Sequence, residues 1–327
     1  MKLKEKLFYL FDLFFALVPV IIVIAIFGFL IYYSIPSIKY NGFHFFESYL
    51  WNPGQIYRNP ITVNGVVAPY GSSFGLLLFL YGTVLISLLS IIISLPVSFI
   101  VSLELNLYIS QKTSKFLSSL VDLFAGIPSV VYGLWGIAVL EPFLFLDVEP
   151  WMNKNLSFIP GFSGQIYSGA GIIASTIILS LMTIPIITAV IYNSMKSVSK
   201  NMIEGALALG STRWEIGKKI LFKETKIQIL GATMLGLGRA LGETMAVLMV
   251  SGSIVNVMPS SIYSSINTMA AAIASLLDSA FTDPTGMELS ALAELGLVLM
   301  LITLAVSLAG RLLAGTGITK VYEDLER

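Results

Sequence analysis

Six long apolar segments constrain the fold of this chain more than any other feature of its sequence. Each is at least as long as the roughly 20 residues that an α-helix needs to cross the hydrocarbon core of a bilayer. They cover residues 12–34, 74–103, 116–146, 169–193, 227–252 and 288–314. The sequence therefore predicts an all-α, polytopic membrane protein with six transmembrane helices.

Composition supports this prediction and excludes several kinds of function. Of the 327 residues, 56% are hydrophobic and 12% are charged, about half of the roughly 25% charged residues typical of soluble domains. The formal net charge is zero, which gives no signal for nucleic acid binding. Cysteine is absent, so disulfides, thiolate catalysis and cysteine-ligated metals are excluded. The one histidine, His44, lies in a polar loop and is expected at the surface.

The N-terminal segment 1–11 leads into the first apolar run. It carries Lys2, Lys4 and Lys6, and the apolar run continues to about Tyr33. This is longer than the roughly 7–15 apolar residues of a signal peptide, and no small-x-small cleavage site follows. The sequence predicts a membrane anchor that is retained in the mature protein.

Lysine and arginine are distributed unequally between alternate loops, which predicts the orientation in the membrane. The N-terminal segment, the 104–115 and 194–226 loops and the C-terminal end hold fifteen of them, against three in the opposite loops. Both termini, including the tail 315–327, are therefore expected in the cytoplasm. The external segments are then 35–73, 147–168 and 253–287.

Two parts of the five-helix core, residues 74–314, depart from simple spanning helices. The third apolar segment is longer than one span and contains Gly126-Ile127-Pro128, which predicts a broken or re-entrant helix. Residues 266–281 form an apolar helix that is too short to span and is flanked by polar residues. We expect that helix to lie along the outer membrane surface or to dip into it.

Two charged residues, Arg239 and Glu243, lie in the middle of the fifth apolar segment. A charge at the centre of a bilayer costs roughly 2.5–3.5 kcal/mol on insertion scales, so such residues pair or line a polar cavity. Residues four apart share a helix face, and Glu294 of the sixth segment is expected at a similar depth. These three residues are the predicted substrate pathway; a structural pair that ties helices together is the alternative.

The 194–226 loop is more basic and polar than any other stretch of the chain. Its sequence predicts a helix from Met202 to Leu209 that stops at Gly210. A second helix is expected after Ser211 or Thr212, with Glu215 in its first turn. The loop is either a solvated connector or a docking surface for a cytoplasmic partner.

The loop resembles the EAA loop of ATP-binding-cassette (ABC) importer permeases. The resemblance rests on Glu204-Gly205-Ala206, on Gly210 six positions after the glutamate, and on Ile220. The chain departs from that pattern at Gly205, where alanine is usual, and at Phe222-Lys223, where Leu-Pro is usual. In that family the loop couples the permease to its ATPase, so Glu204, Gly205, Ala206 and Gly210 are implied as coupling residues.

Longer motifs narrow the resemblance to the PstC family of phosphate importer permeases. The run from Gly236 to Val247 and the run from Ala125 to Gly136 are similar to that family. Shorter matches are Tyr81-Gly-Thr83, Leu95-Pro96-Val-Ser-Phe and Leu292-Ala-Glu294-Leu-Gly-Leu. The likeness extends from about residue 12 to 314 and implies the type I ABC importer permease fold.

The resemblance implies a permease that imports inorganic phosphate, with no cofactor or metal and no enzyme activity of its own. The chain lacks the Gly-x-x-x-x-Gly-Lys-Ser/Thr phosphate-binding loop, so an ATPase must come from another subunit. The implied partners are a second permease of the PstA type, two ATPases of the PstB type and an external binding protein of the PstS type. The alternatives are a permease for sulfate or molybdate, a secondary carrier or channel and, least favoured, an intramembrane enzyme.

Glycines near Arg239 have a separate interpretation. Gly238 and Gly242 are four residues apart, as are Ala232 and Gly236. Small residues at this spacing let membrane helices approach closely. Gly236, Gly238 and Gly242 are therefore predicted to pack helices within the bundle or against a partner subunit.

Overall fold

The computed structural model describes residues 3–55 and 57–325, with side chains over 8–9, 11–55 and 57–312. The side chains of the three N-terminal lysines, Lys320 and Arg327 lie outside these ranges. The described chain is mainly helical. Its α-helices are α1 (Leu3–Asn41), α2 (His44–Glu47), α3 (Leu77–Leu103), α4 (Gln111–Ala125), α5 (Ser129–Trp135), α6 (Glu141–Phe143), α7 (Glu149–Leu156), α8 (Ile172–Lys196), α9 (Lys200–Ala208), α10 (Arg213–Ile216), α11 (Phe222–Leu241), α12 (Met245–Val250), α13 (Met269–Ala280) and α14 (Met287–Leu325).

Four short strands and four π-helical turns complete the regular structure of the described residues. The strands form two antiparallel pairs, β1 with β4 and β2 with β3. They are β1 (Trp51–Asn52), β2 (Ile61–Val63), β3 (Val66–Ala68) and β4 (Ser73–Phe74). The π-helical turns are Glu104–Tyr108, Gly136–Leu140, Leu144–Val148 and Gly217–Leu221.

Five helical segments of the described chain are long and apolar enough to cross a membrane. They are Phe11–Asn41, Leu77–Tyr108, Ser129–Leu156, Ile172–Lys196 and Met287–Leu312. The fifth predicted span, 227–252, is not one continuous helix, because α11 ends at Leu241 and α12 begins at Met245. Glycine favours a helix end at 242, and the carboxylate of Glu243 accepts a hydrogen bond from the Ala246 N–H at the start of α12.

The third predicted segment is broken where the sequence indicated, at residues 126–128 between α4 and α5. Its end was predicted wrongly at 146, because the helical path from Ser129 continues through α6 and α7 to Leu156. Two π-helical turns lie directly before Glu141-Pro142 and Glu149-Pro150. Proline lacks an N–H and crowds the preceding turn, so these wider turns keep the helix continuous through both prolines.

The helix ends also differ from the predicted segments, which followed apolar length. The first span was placed at 12–34, but α1 continues to Asn41, so the first residues of the predicted 35–73 loop are helical. The tail 315–327 was predicted as a separate segment, but α14 continues to Leu325. A helix does not need to end where its sequence becomes polar, since backbone hydrogen bonding continues until a residue or a cap interrupts it.

The chain divides into two compact units. The first contains residues up to Leu77 together with Ser275–Leu301. It contains the β2–β3 hairpin, in which Asn64 and Gly65 have φ values of 53° and 77°. Asn-Gly is the favoured pair for such a turn because both positions need positive φ. Trp51 at the start of β1 donates its indole N–H to Glu288 of α14 over 3.2 Å.

The second unit contains Leu78–Ala274 and the residues from Ile302 onward. Helix α8 lies at its centre and packs against α4, α11 and α12. Gly133 and Gly136 allow α12 to approach closely: a Cβ atom would lie 2.6 Å from Met249 Sδ at Gly133 and 2.5 Å from Val250 Cγ1 at Gly136.

A buried stripe of hydroxyl side chains joins α3 to α8, and the sequence analysis missed it. Its members on α3 recur every three or four residues and are at most 1% exposed: Thr83, Ser87, Ser90, Ser94, Ser98 and Ser102. The hydroxyls of Ser98 and Ser102 donate to the Ile184 and Thr188 carbonyl oxygens of α8 at 3.0 and 3.2 Å. Small hydroxylated residues suit helix contacts in a membrane because they permit close approach and hydrogen bonds.

Candidate functional site: an intramembrane arginine and a coupling loop

Arg239 lies on the last two turns of α11, on the face that the second unit leaves uncovered. Leu235 and Arg239, one turn apart, are exposed on that face, whereas their neighbours Gly236 and Ala240 are buried. Among the described residues, no carboxylate lies within 4 Å of the Arg239 guanidinium. The cation therefore lies in the fifth apolar segment with no ion-pair partner among the described residues.

The prediction that Arg239 and Glu243 lie on one face of a single helix is wrong. Helix α11 ends at Leu241, and Glu243 lies in the three-residue break before α12. The Glu243 carboxylate accepts a hydrogen bond from the Ala246 N–H over 3.3 Å instead. An acidic side chain is favourable at this position because the first N–H groups of a helix have no partner within the helix.

A cavity of about 420 Å³ adjoins Arg239. The remaining lining comes from α8, α11 and α14 and includes Gly238, Thr303 and Ser307. The Arg239 guanidinium also interacts electrostatically with the phenol of Tyr132 on α5. Tyr132 donates its hydroxyl to the Phe124 carbonyl oxygen across the break before α5, over 3.1 Å. No sequence pattern indicated Tyr132, Thr303 or Ser307, because α5 and α14 are both distant from Arg239 in the sequence.

Glu294 belongs to the first compact unit, so its surroundings are described separately. It is 3% exposed on α14, where the buried hydroxyl of Ser37 on α1 donates a hydrogen bond to its carboxylate. Its Oε2 atom has no hydrogen-bond partner among the described residues. The adjoining cavity of about 350 Å³ is lined mainly by apolar residues of α1, α2 and α14. The pathway role of Glu294 stays a prediction.

The three glycines predicted to pack helices have different surroundings. A Cβ atom at Gly236 would lie 2.7 Å from Cδ1 and 2.9 Å from Cγ1 of Ile187 on α8. A Cβ atom at Gly238 would meet nothing within 4 Å, and one at Gly242 would meet only the preceding backbone at 3.8 Å or more. Of these three glycines, only Gly236 is in a close contact with another helix of the described chain. Gly238 and Gly242 lie on or beside the open face that carries Arg239.

This difference predicts a stability contrast between two valine variants of the same helix. We expect Gly236→Val to lower the free energy of unfolding by about 1–3 kcal/mol, because the added atoms overpack the contact with Ile187. Gly238→Val is the matched control, since it has the same intrinsic effect on helix propensity without the overlap. Thermal unfolding of the full chain in detergent measures both. Equal losses in the two variants would contradict the packing role of Gly236.

The 194–226 loop has the local structure that the sequence predicted. Helix α9 ends in a Schellman motif, in which the N–H groups of Gly210 and Ser211 bond to the carbonyl oxygens of Leu207 and Ala206. Gly210 has φ +86°, a left-handed conformation that favours glycine. The next helix begins with a capping box formed by Thr212 and Glu215. The second helix is longer than predicted, however, because it continues through a π-helical turn into α11 and ends at Leu241.

Helix α9 presents one face to the protein and the other to solvent. Ile203 and Ala206 pack against the apolar cluster around Met195 and Ile216. Glu204 and Gly205 lie on the exposed side, where a Cβ atom at Gly205 would meet nothing within 4 Å. The alanine that is usual in the EAA pattern would therefore fit at this position without strain.

Exposed apolar side chains flank Glu204 along the loop sequence, and we call them the apolar patch. Its members are at least 45% exposed: Met202, Leu207, Leu209 and Trp214. Leu209 is 90% exposed at the end of α9. Clustered exposed apolar side chains mark interaction sites more often than single ones do. The loop thus combines a fixed backbone geometry with an uncovered apolar surface.

The capping box predicts the titration of Glu215. Hydrogen bonds from the Thr212 backbone N–H and then from Lys219 lower the pKa of Glu215 from 4.5 to about 2. Since the folded-state pKa is below the ordinary value, the cap stabilises the loop above about pH 4.5 and weakens as the pH falls from there towards 2. Lys219→Gln removes an ammonium group 3.1 Å from the Glu215 carboxylate and should raise its pKa. The pH dependence of the Glu215 carboxyl ¹³C shift measures this pKa in both proteins. Lys218→Gln is the control and should leave the pKa unchanged. A pKa near 4.5 for Glu215 in the wild type would contradict the stabilising role of the cap.

Comparison with known proteins identifies the family. The family of binding-protein-dependent transport system inner membrane components matches residues 94–315. The phosphate transport system permease protein PstC 1 of Mycobacterium tuberculosis is 38% identical over 299 residues, which cover 90% of this chain and 88% of that protein. The chain belongs to this permease family, among its PstC-type members. The PstC proteins of Pasteurella multocida and Haemophilus influenzae are 34% and 32% identical and cover 92% and 98% of the chain.

Solved structures show the same permease fold. A crystal structure of a bacterial alginate ABC transporter, in complex with an alginate pentasaccharide-bound periplasmic protein, contains a chain that matches with a TM-score of 0.57. That match is 15% identical and covers 95% of this chain and 96% of the other. At this identity the likeness concerns the fold alone. This permease is accordingly a multi-pass membrane protein with the ABC importer permease fold.

Proposed function

We propose that this permease is the transmembrane subunit of an ATP-driven importer of inorganic phosphate, in which it forms half of the translocation pathway. The phosphate assignment comes from the PstC-type relatives, which are 32–38% identical over most of the chain. Sulfate and molybdate are the other oxyanions that a similar site would accept, and the anion-specific uptake experiment below separates them.

The observation that carries the proposal is the uncovered position of Arg239. An arginine that faced lipid at this depth would cost several kcal/mol, so its face must adjoin protein, water or a substrate. The adjoining cavity has hydroxyl groups on α14 and no carboxylate within 4 Å of the guanidinium among the described residues. A guanidinium stays charged and donates two parallel hydrogen bonds to a phosphate. The site thus suits a transient oxyanion ligand at an interface with a second permease subunit.

Glu243 has a different role in this proposal from the one that its spacing suggested. Its carboxylate accepts the Ala246 N–H, so it fixes the break between α11 and α12. The break ends α11 just after Arg239 and holds the Glu243 carboxylate near the proposed path. A nearby carboxylate limits how tightly phosphate binds, which transport requires because the ion must also leave. Glu294 is proposed as a further pathway residue.

The 194–226 loop is the proposed attachment for ATPase subunits. Glu204, Gly205, Ala206 and Gly210 form the coupling region, and the exposed apolar patch around Glu204 supplies the contact area. A partner that buries Leu209 and Trp214 would remove two large apolar side chains from water, which is favourable by about 1.5–3 kcal/mol for each. ATP binding would bring two PstB-type ATPases together and move α9, and α10 and α11 transmit this motion because they form one helical path.

The remaining partners follow from the same assignment. A PstA-type permease would cover the open face of α11, and a PstS-type protein would deliver phosphate at the external segments. Both termini are placed in the cytoplasm of the plasma membrane by the distribution of lysine and arginine. Alternating access then exposes the Arg239 cavity first to the outside and then to the cytoplasm.

An uptake experiment tests the proposed function. Cells that lack this permease should lose uptake of ³²P-phosphate at micromolar concentrations, and expression of the wild-type chain should restore it. Uptake of ³⁵S-sulfate and of molybdate serves as the internal control and should be unchanged. Loss of sulfate or molybdate uptake with phosphate uptake intact would overturn the phosphate assignment.

A further inference from the structure

A groove of about 370 Å³ lies between α9 and the ends of two membrane spans in the second unit. Its volume is within the roughly 300–1,000 Å³ of small-molecule sites. The spans Leu77–Tyr108 and Ile172–Lys196 both end at this groove, so it lies where a bilayer changes from hydrocarbon to headgroups. Glu204 and Leu207 of α9 line the groove, so it adjoins the exposed apolar patch described above.

Three cations and one carboxylate line the groove. The cations are Lys196, Lys200 and Arg213, and the carboxylate is Glu204. The one ion pair within 4 Å among the described residues joins Lys219 to Glu215, so none of the three cations is neutralised in this way. The guanidinium of Arg213 lies over the ring of Tyr108 at 5.6 Å, and the ammonium of Lys196 lies over the ring of Tyr192 at 5.5 Å. These aromatic contacts hold two of the cations beside the groove.

The floor of the groove is polar and satisfied internally. The Asn106 amide donates to the carbonyl oxygens of Ser102 and Tyr192 at 2.8 and 3.3 Å. The hydroxyls of Ser114 and Tyr192 are hydrogen-bonded to each other over 3.1 Å. The donors that remain for a ligand are therefore mainly those of the cations at the rim, while Leu107, Ile109 and Leu207 supply apolar surface beside them.

We propose that this groove binds the headgroup of an anionic phospholipid. Its excess of positive charge matches a phosphodiester, and basic pockets between membrane helices are suited to such headgroups. The lipid source is favoured over a soluble phosphate because the lining residues Leu107 and Lys196 lie at the ends of membrane spans and because apolar side chains adjoin the cations. A bound headgroup would lie against Ile203 and Leu207 and would connect α9 to the membrane surface. This inference does not depend on the anion that the permease transports.

Native mass spectrometry of the full chain in detergent tests the proposal with defined lipids. The wild-type chain should retain one phosphatidylglycerol in preference to phosphatidylcholine. The combined variant Lys196→Gln, Lys200→Gln and Arg213→Gln should lower the affinity for phosphatidylglycerol by about a hundredfold, since each basic residue contributes separately. Lys218→Gln, Lys223→Gln and Lys226→Gln form the control, because they remove the same charge from exposed positions that do not line the groove.

Three results would overturn the proposal. Equal retention of phosphatidylcholine would mean that the headgroup charge is not recognised. Equal loss in both combined variants would indicate diffuse attraction to the basic loop, as opposed to binding in the groove. Displacement of the lipid by the same concentration of glycerol 3-phosphate would assign the groove to a soluble anion. Arg213→Lys keeps the charge at the groove and should retain binding within about threefold, which controls for misfolding of the combined variant.

Discussion

Replacement of Arg239 by alanine should reduce phosphate uptake by about a hundredfold or more, while the permease still inserts into the membrane. Hydrogen bonds to a charged partner contribute about 1.5–3 kcal/mol each, and a guanidinium supplies two to one phosphate. Alanine is tolerated at the position because the side chain of Arg239 is exposed and has no ion-pair partner among the described residues. The loss is therefore one of transport, and the folded chain should persist.

Uptake of ³²P-phosphate, together with the amount of permease in the membrane, measures this effect. Arg239→Lys keeps the charge without the planar fork and should retain partial uptake. Arg58→Ala is the control for loss of one arginine, since Arg58 lies outside the candidate membrane spans, over the ring of Tyr70. Normal uptake by Arg239→Ala would refute the pathway role. An equal loss of uptake in Arg58→Ala would mean that the effect is not specific to Arg239.

Replacement of Glu204 by lysine should uncouple ATP hydrolysis from transport. Glu204 is exposed on α9, between members of the apolar patch in sequence. A reversed charge there alters the proposed docking surface without changing the packing of Ile203 and Ala206. We expect transport-coupled ATP hydrolysis and co-purification of the ATPase to fall by about tenfold, the effect of losing roughly 1.4 kcal/mol at an interface.

Glu224→Lys is the matched control for this charge reversal, because Glu224 is also exposed but lies on the first turn of α11, beyond the coupling helix. It should hydrolyse ATP and retain the ATPase as the wild type does. Unchanged co-purification and ATP hydrolysis in Glu204→Lys would exclude the proposed docking role of α9.

Features that depend on neighbouring residues could be predicted well from the sequence. The stop of α9 at Gly210 and the capping box of Thr212 and Glu215 were both predicted, since each needs only a few adjacent residues. The break at Gly126-Ile127-Pro128 was predicted for the same reason. Apolar length indicated five of the six predicted spans but not their ends, because α1 and α14 continue beyond their apolar parts.

Features that depend on competing contacts could not be predicted from spacing. Arg239 and Glu243 have the spacing of a helix face, yet the Glu243 carboxylate bonds to the Ala246 N–H beyond a helix break. The π-helical turn before Pro150 keeps residues 147–156 helical, although the sequence predicted a loop from 147 to 168. The electrostatic interaction of Arg239 with Tyr132 joins residues more than 100 positions apart, for which no local pattern exists.

The central claim is that the open face of α11 at Arg239 borders the path of phosphate, and a single introduced thiol tests it most directly. The wild-type chain has no cysteine, so Ser307→Cys places one reactive group in the cavity beside Arg239. A membrane-impermeant, charged thiol reagent should label this variant in the assembled importer, and phosphate should slow the labelling. Ile92→Cys, at an exposed apolar position on α3, should stay unlabelled. If Ser307→Cys is as unreactive as Ile92→Cys, or if phosphate does not change its rate, the face does not border the pathway.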